Sequence, residues 1–190
     1  MSAIFSPCGN YRYRLERAGP GRGATAIVMV NPSTADAETD DATIRKLRGF
    51  GERHGWGRLI VGNLFAWRAT DVRELGRVGD PVGPDNDRHL AEIFADADRA
   101  VLAWGPLAKQ PRFHRGRWRE VLEMCRAKHR KPLAIGEPAR CGQPKHPLML
   151  GYGSPVAPWF PCRGPASADP AQGAAAIAGR SRSGYSAASV

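Results

Sequence analysis

Three residues have the type and placement to act on a small polar ligand: Asn31, Asn63 and His146. Asn31 opens the turn N-P-S-T-A-D (31–36). Its amide offers one acceptor and two donors, and Pro32 rigidifies the turn while lacking an N–H. Ser33 and Thr34 bring hydroxyls suited to phosphate oxygens. Asn63 opens N-L-F-A-W-R-A-T-D (63–71) at the end of an apolar run. An amide there matches an adjacent donor and acceptor on a base edge, and Phe65 and Trp67 either stack a base or fill the core. His146, in K-H-P-L (145–148), is the best acid/base or electrostatic candidate among five histidines. His54, His89, His114 and His129 lie on or beside predicted helices and read as surface residues. Taken singly, the Asn, Pro, Ser and Asp residues are also ordinary turn formers and caps. There is no P-loop, dinucleotide fingerprint, H-E-x-x-H or nucleophile elbow, so covalent Ser or Cys catalysis has no support.

The elements that must position these residues follow from hydrophobic periodicity. Continuous apolar runs at 25–30 (TAIVMV), 58–63 (RLIVGN), 99–104 (RAVLAW) and 132–136 (PLAIG) predict strands covered on both faces. Helical spacing predicts helices over 41–54, 85–97 and 117–129, the first capped by Asp40 or Asp41. The β-α-β-α-β-α-β order predicts a three-layer α/β/α sandwich around a central, mostly parallel four-stranded sheet. The segment 11–15 (YRYRL) alternates with period two and predicts an added edge strand, and 19–23 (GPGRG) a turn. Ligands of such sheets bind beyond the carboxyl ends of the strands, which is where all three candidates fall. One domain is expected over 1–160, with a disordered tail of Ala, Gly, Ser, Pro and Arg over 161–190.

Composition narrows the partner. The 190 residues hold 28 Lys+Arg against 18 Asp+Glu, net +10. Residues 1–98 carry 13 basic and 14 acidic side chains, whereas 99–150 carry 12 and 3. Such an excess is either a solvated surface or the footprint of a polyanion. Arg115 and Arg117, within a basic stretch at 109–131, join Arg68 and Lys145 as candidate phosphate contacts. No run approaches the roughly 18 apolar residues of a membrane span, and no secretory signal is visible, so the cytoplasm is expected. Cys8, Cys125, Cys141 and Cys162 form no C-x-x-C pair. They read as idle thiols rather than as a zinc site, disulfides or an iron–sulfur cluster, and no cofactor is expected.

The ordered motifs NPSTAD (31–36), DDATIRK (40–46), NLFAWRATD (63–71), PVGPDND (81–87), AWG (103–105) and KHPL (145–148) resemble a bacterial and phage family, domain-of-unknown-function family 1643, over roughly 5–160. That family is in turn distantly similar to the uracil-DNA glycosylase superfamily, and VNPS (30–33) is similar to the G-x-N-P-G turn of its mismatch-specific branch. The resemblance implies a glycosylase-like fold in which Asn31 holds the attacking water, Asn63 reads the base, Phe65 stacks on it and His146 stabilises the leaving base. It also implies that Leu148, Met149 or Leu150 enters the DNA stack as a wedge. The first motif lacks D-P-Y-H, and the fourth reads H-P-L-M-L where the main uracil enzymes pinch a phosphate with S-P-L-S.

The expected activity is N-glycosidic hydrolysis of a modified or mismatched base in DNA, with Asp36 assisting Asn31 and Pro32 beside the base. Two alternatives stand: a non-catalytic DNA- or nucleotide-binding module, and a hydrolase or transferase on a free nucleoside or nucleotide. For the last, the acidic cluster Asp36, Asp40 and Asp41 is a conceivable magnesium site, with helix capping as its other use.

Overall fold

A computed structural model describes residues 1–128 and 131–161. Seven strands form one sheet in the order β1-β2-β4-β3-β5-β6-β7. They are β1 (Ser2–Phe5), β2 (Arg12–Ala18), β3 (Arg22–Met29), β4 (Trp56–Asn63), β5 (Arg99–Leu102), β6 (Pro132–Ile135) and β7 (Val156–Pro158). The four apolar runs are the central strands β4-β3-β5-β6, all parallel to their neighbours. The sheet is wider than the four strands expected, because β1, β2 and β7 add antiparallel pairings at its two sides.

Three helices connect the parallel strands: α1 (Ala42–His54), α2 (Asn86–Asp96) and α3 (Arg117–Ala127). The third ends before residue 129, which, like the tail from 162, lies outside the described residues. Ile44, Leu47 and Phe50 of α1 pack with Ile27, Leu59, Val61 and Val101 in one apolar cluster. Leu90, Ile93 and Phe94 of α2 and Trp118, Val121 and Leu122 of α3 pack with Val28 and Ile60 in the other. Consecutive strand residues thus feed opposite clusters, as the strand period of two requires. The chain steps from β3 to β4 on one side and to β5 on the other, so the direction of winding reverses between β3 and β5. Such a reversal opens a crevice at the strand carboxyl ends.

α1 begins where Asp41 Oδ1 accepts the Ile44 N–H at 2.8 Å, and it ends at Gly55 in the left-handed region (φ 65°). The segment 11–15 departs from its expected place. β2 is not an edge: β1 covers its free side, and Arg12, Arg14 and Arg17 are all buried. Each buried arginine is engaged. Arg17 Nε donates to Asp40 at 2.5 Å and its Nη2 to the Asp36 carbonyl at 2.5 Å. Arg12 Nη1 donates to the Ala35 carbonyl and Arg14 pairs with Glu16 and Asp96. Two of these three guanidiniums pin the 31–41 loop against the sheet. The expectation of four surface histidines also needs correction. His89 is buried and stacks on Tyr13 with ring centroids 4.8 Å apart. It lies on the apolar side of α2, which packs over β2. No helix among the described residues is long and apolar enough to cross a membrane.

Candidate functional site

The β3–β4 register determines where the two asparagines go. Met29 of β3 is paired with Asn63 of β4, so both strands end at this level and Asn31 follows two residues later in the turn. Neighbouring strands are about 4.8 Å apart, so both asparagines come to the same carboxyl edge of the sheet. His146 arrives from the far side of the sheet, in the segment after β6. Its Cβ lies 3.6 Å from where a side chain on Gly105 would begin, and Gly105 has φ 82°. A residue with a side chain there is strained by the positive φ, although its Cβ would only touch the histidine at ordinary contact distance.

All three line one cavity of about 610 Å³, together with Arg12, Ser33, Thr34, Asp41, Asp71 and Leu148. The volume lies in the range of small-molecule sites. Its walls come from the ends of β3 and β4, the first turn of α1 and the 146–148 turn.

Asn63 forms the most demanding part of the lining. It is 1% exposed, and neither Oδ1 nor Nδ2 has a hydrogen-bond partner among the described residues. Its backbone carbonyl is taken by Asn86 Nδ2 at 3.1 Å, which fixes the strand end but leaves the amide unpaired. A buried amide left so costs about 1–3 kcal/mol. Asn31 is arranged differently. Its Nδ2 donates to the carbonyls of Ala69 (2.7 Å) and Pro32 (3.0 Å), while Oδ1 accepts nothing from the described residues. Held at two points, it presents an acceptor.

His146 Nδ1 accepts the Leu148 N–H at 3.3 Å. The neutral ring therefore carries its proton on Nε2, a donor. Burial pushes its pKa below the usual histidine value, with the Asp41 charge acting the other way. Asp71, across the cavity, is bound by the Arg73 guanidinium and backbone N–H, which hold its carboxyl down at about 2. Burial lowers the Arg12 guanidinium to about 10, so it stays a cation at neutral pH.

The remaining expected residues divide. Ser33 and Thr34 line the main cavity and also share a shallow cleft with Arg68, which is exposed. Leu148 and Met149 are 48% and 77% exposed beside the opening, whereas Leu150 is buried in the α1-side cluster. Lys145 is half-buried and Arg115 exposed.

Three residues sit elsewhere than expected, and Trp67 takes the second of its two expected places, the core. Asp36 does not line the cavity, because its carboxylate accepts the N–H groups of Glu38 and Thr39 and closes its own turn. Pro32 is buried and off the lining. Phe65 is fully buried in the α2/α3-side cluster. β4 ends at Asn63, so the alternation that would keep Phe65 beside it lapses, and its N–H is held by the Val30 carbonyl at 3.0 Å. Trp67 likewise packs against that core and on Tyr11.

Arg117 is no phosphate contact. It is buried, donates to the Leu64 carbonyl at 3.1 Å and is neutralised by Asp87 and Glu120. Its Leu64 bond supports the turn just after Asn63. Arg117→Met is expected to lower unfolding stability by about 1 kcal/mol, since it removes one of the two donors on the buried Leu64 carbonyl and leaves the other, Asn86 Nδ2 at 3.2 Å, in place. It should leave the salt dependence of any nucleic-acid binding unchanged. Chemical denaturation and a salt titration check the two halves.

Three charged lining residues have no such role in the sequence: Asp71, which stands there only as the last residue of N-L-F-A-W-R-A-T-D, and Arg12 and Asp41. Arg12 was read only as part of a period-two strand, with no signal marking its burial. Asp41 was read as a helix cap, which it is, but its carboxylate also faces the cavity. The acidic cluster does not assemble a metal site: Asp36 closes its turn, Asp40 binds Arg17 and Arg48, and Asp41 caps α1. Among the described residues no three His, Cys, Asp or Glu side chains come together to hold a metal. Cys8, Cys125 and Cys141 form no disulfide among the described residues.

A family model described as protein of unknown function (DUF1643) matches residues 12–148. The chain belongs to this family. The DUF1643 match runs from Arg12 to Leu148, which are also the first and last residues of the cavity lining. The whole site is therefore built within the DUF1643 region. No curated protein and no solved structure matches the chain.

Proposed function

We propose that the cavity takes one nucleobase of a DNA strand, and that the protein hydrolyses the N-glycosidic bond of a modified or mismatched base held there. The observation that carries this reading is the Asn63 amide: a desolvated donor–acceptor pair, unpartnered among the described residues, at the wall of a cavity with room for a nucleobase. A base edge presents the complementary pair. The helices on both faces of a parallel sheet, and the N-P and H-P turns at its carboxyl edge, support a three-layer sandwich similar to the uracil-DNA glycosylase superfamily.

In this reading Asn31 Oδ1 accepts a hydrogen bond from the attacking water and orients it. Asp41, rather than Asp36, is the carboxylate near the reacting centre. Water oxygen bonds to C1′, and the C1′–N bond breaks with its electron pair going to the base. The water's surplus proton leaves by way of Asp41 to solvent. His146 Nε2–H donates to the oxyanion developing on the base, a preorganised electrostatic effect. Leu148 and Met149, exposed at the mouth, are suited to fill the stack vacated by the flipped base. Arg68, Lys145 and Arg115 are exposed or half-buried cations for the phosphates.

The test is a gel assay of oligonucleotides carrying uracil, thymine mismatches or alkylated bases. Abasic product from one of them, lost in Asn63→Leu, is the expected result. Salt-sensitive DNA binding with no abasic product from any substrate contradicts hydrolysis and leaves a base-binding module. That second reading is favoured by the commitment of Asp36 to its own turn, which removes the expected helper of Asn31.

A further inference from the structure

A second cavity, of about 650 Å³, adjoins the first, and the two share Asp71 and Val72 as a common wall. It is built by the loop after β5. Leu107–Lys109 makes one 3₁₀ turn, closed by the Gln110 N–H on the Leu107 carbonyl at 3.0 Å. Pro111 then holds Gln110 extended, as a residue before proline must be, and ends the turn. The Gln110 side chain is 3% exposed and lines this cavity, and neither Oε1 nor Nε2 has a partner among the described residues. Packing gives no reason for a buried primary amide with both ends unpaired. At the rim Phe113 is 93% exposed, the most exposed large apolar side chain in the described structure. Arg112 beside it is exposed and makes no ion pair with a described residue, and Arg73 neutralises Asp71 on the shared wall.

A desolvated amide, an uncovered aromatic face and an unpaired guanidinium are the three groups that grip an unstacked nucleotide: edge, face and phosphate. We infer that this second cavity holds a nucleobase flanking the one in the first cavity, on the same strand, with Gln110 reading its edge and Phe113 stacking on its face. This inference rests on the nucleobase reading of the first cavity and extends it. The occupant is an extruded base of single-stranded character, since a stacked base offers no free face.

The experiment is fluorescence anisotropy of the full-length chain with labelled single-stranded oligonucleotides. The variants are Phe113→Ala, Gln110→Met and Asn63→Leu. Phe113 has almost no contact area to lose, so its replacement leaves folding intact, and Gln110→Met removes only an unpaired amide. Phe113→Ala is expected to weaken binding roughly five- to hundredfold, as loss of one base–aromatic stack does. Gln110→Met is expected to weaken it roughly tenfold or more. A base-free spacer, scanned along the oligonucleotide, should reproduce the loss at one position and there abolish the effect of Phe113→Ala. Unchanged affinity for Phe113→Ala and Gln110→Met, with loss in Asn63→Leu, overturns the second subsite and leaves the first. Loss in Phe113→Ala with none in Asn63→Leu supports the second cavity as a nucleic-acid site and removes the first. An absence of binding by the unaltered chain at low salt overturns both.

Discussion

Asn63→Leu is expected to make the protein more stable and, by the same change, unable to recognise its ligand. Leucine has nearly the shape of asparagine without its polar atoms. The amide it replaces is 1% exposed and unpaired at both ends. Removing such a group recovers about 1–3 kcal/mol. For a domain of this size that raises the unfolding temperature by roughly 2–12 °C. Loss of a two-point contact to a base should weaken selective binding roughly ten- to hundredfold. A thermal melt beside an oligonucleotide titration reads both. A structural asparagine behaves oppositely: its replacement lowers the melting temperature and leaves binding alone.

His146→Ala is expected to separate chemistry from binding. In the proposed reaction the ring would touch the ligand through one N–H aimed at charge that develops only as the bond breaks. Loss of such a donor costs roughly 10²–10³ in the cleavage rate, while affinity changes by no more than a few-fold. The pH profile carries the same signature. Burial holds the His146 pKa below its ordinary value, so the neutral donor persists into mildly acid solution. The rate should stay flat from neutrality down through the ordinary histidine pKa, then fall as the ring protonates. Stability has the same sign. The unfolded chain takes up the proton first, so the contribution of neutral His146 is present above the unfolded pKa and is lost as pH falls toward the folded one. His89, also depressed by burial, adds to this acid loss. Single-turnover rates and melts of His146→Ala from pH 8 to 4.5 check it. A slope that survives in the variant assigns the titration to another group.

Much of the scaffold could be read from residues alone because buried parallel strands announce themselves. TAIVMV, RLIVGN, RAVLAW and PLAIG have no polar alternation, and each became a central strand. The carboxyl-end rule then brought Asn31, Asn63 and His146 to one place without knowledge of any distance. The edges were harder to read. β1 and β7 are short, half-exposed and held by pairing with partners remote in sequence, so no local period marks them. Buried Arg12 and Arg17 look like surface charges in a one-dimensional pattern, and the carbonyls and the Asp40 carboxylate of a distant loop account for them. Phe65 misled for a related reason: adjacency to Asn63 in sequence holds only while the strand continues, and the strand stops there. Arg117 misled because net charge counts cations without their partners, and its carboxylates lie on α2 and on the next turn of α3.

Side-chain amide resonances of 15N-labelled protein, followed during titration with an oligonucleotide bearing a single mismatched or modified base, report whether the Asn63 side chain meets a base. The Asn63 NH₂ pair is assigned by its disappearance in Asn63→Leu. This pair is expected to shift and to saturate with the same affinity that anisotropy measures. A resonance that stays in place while the oligonucleotide binds rules the contact out.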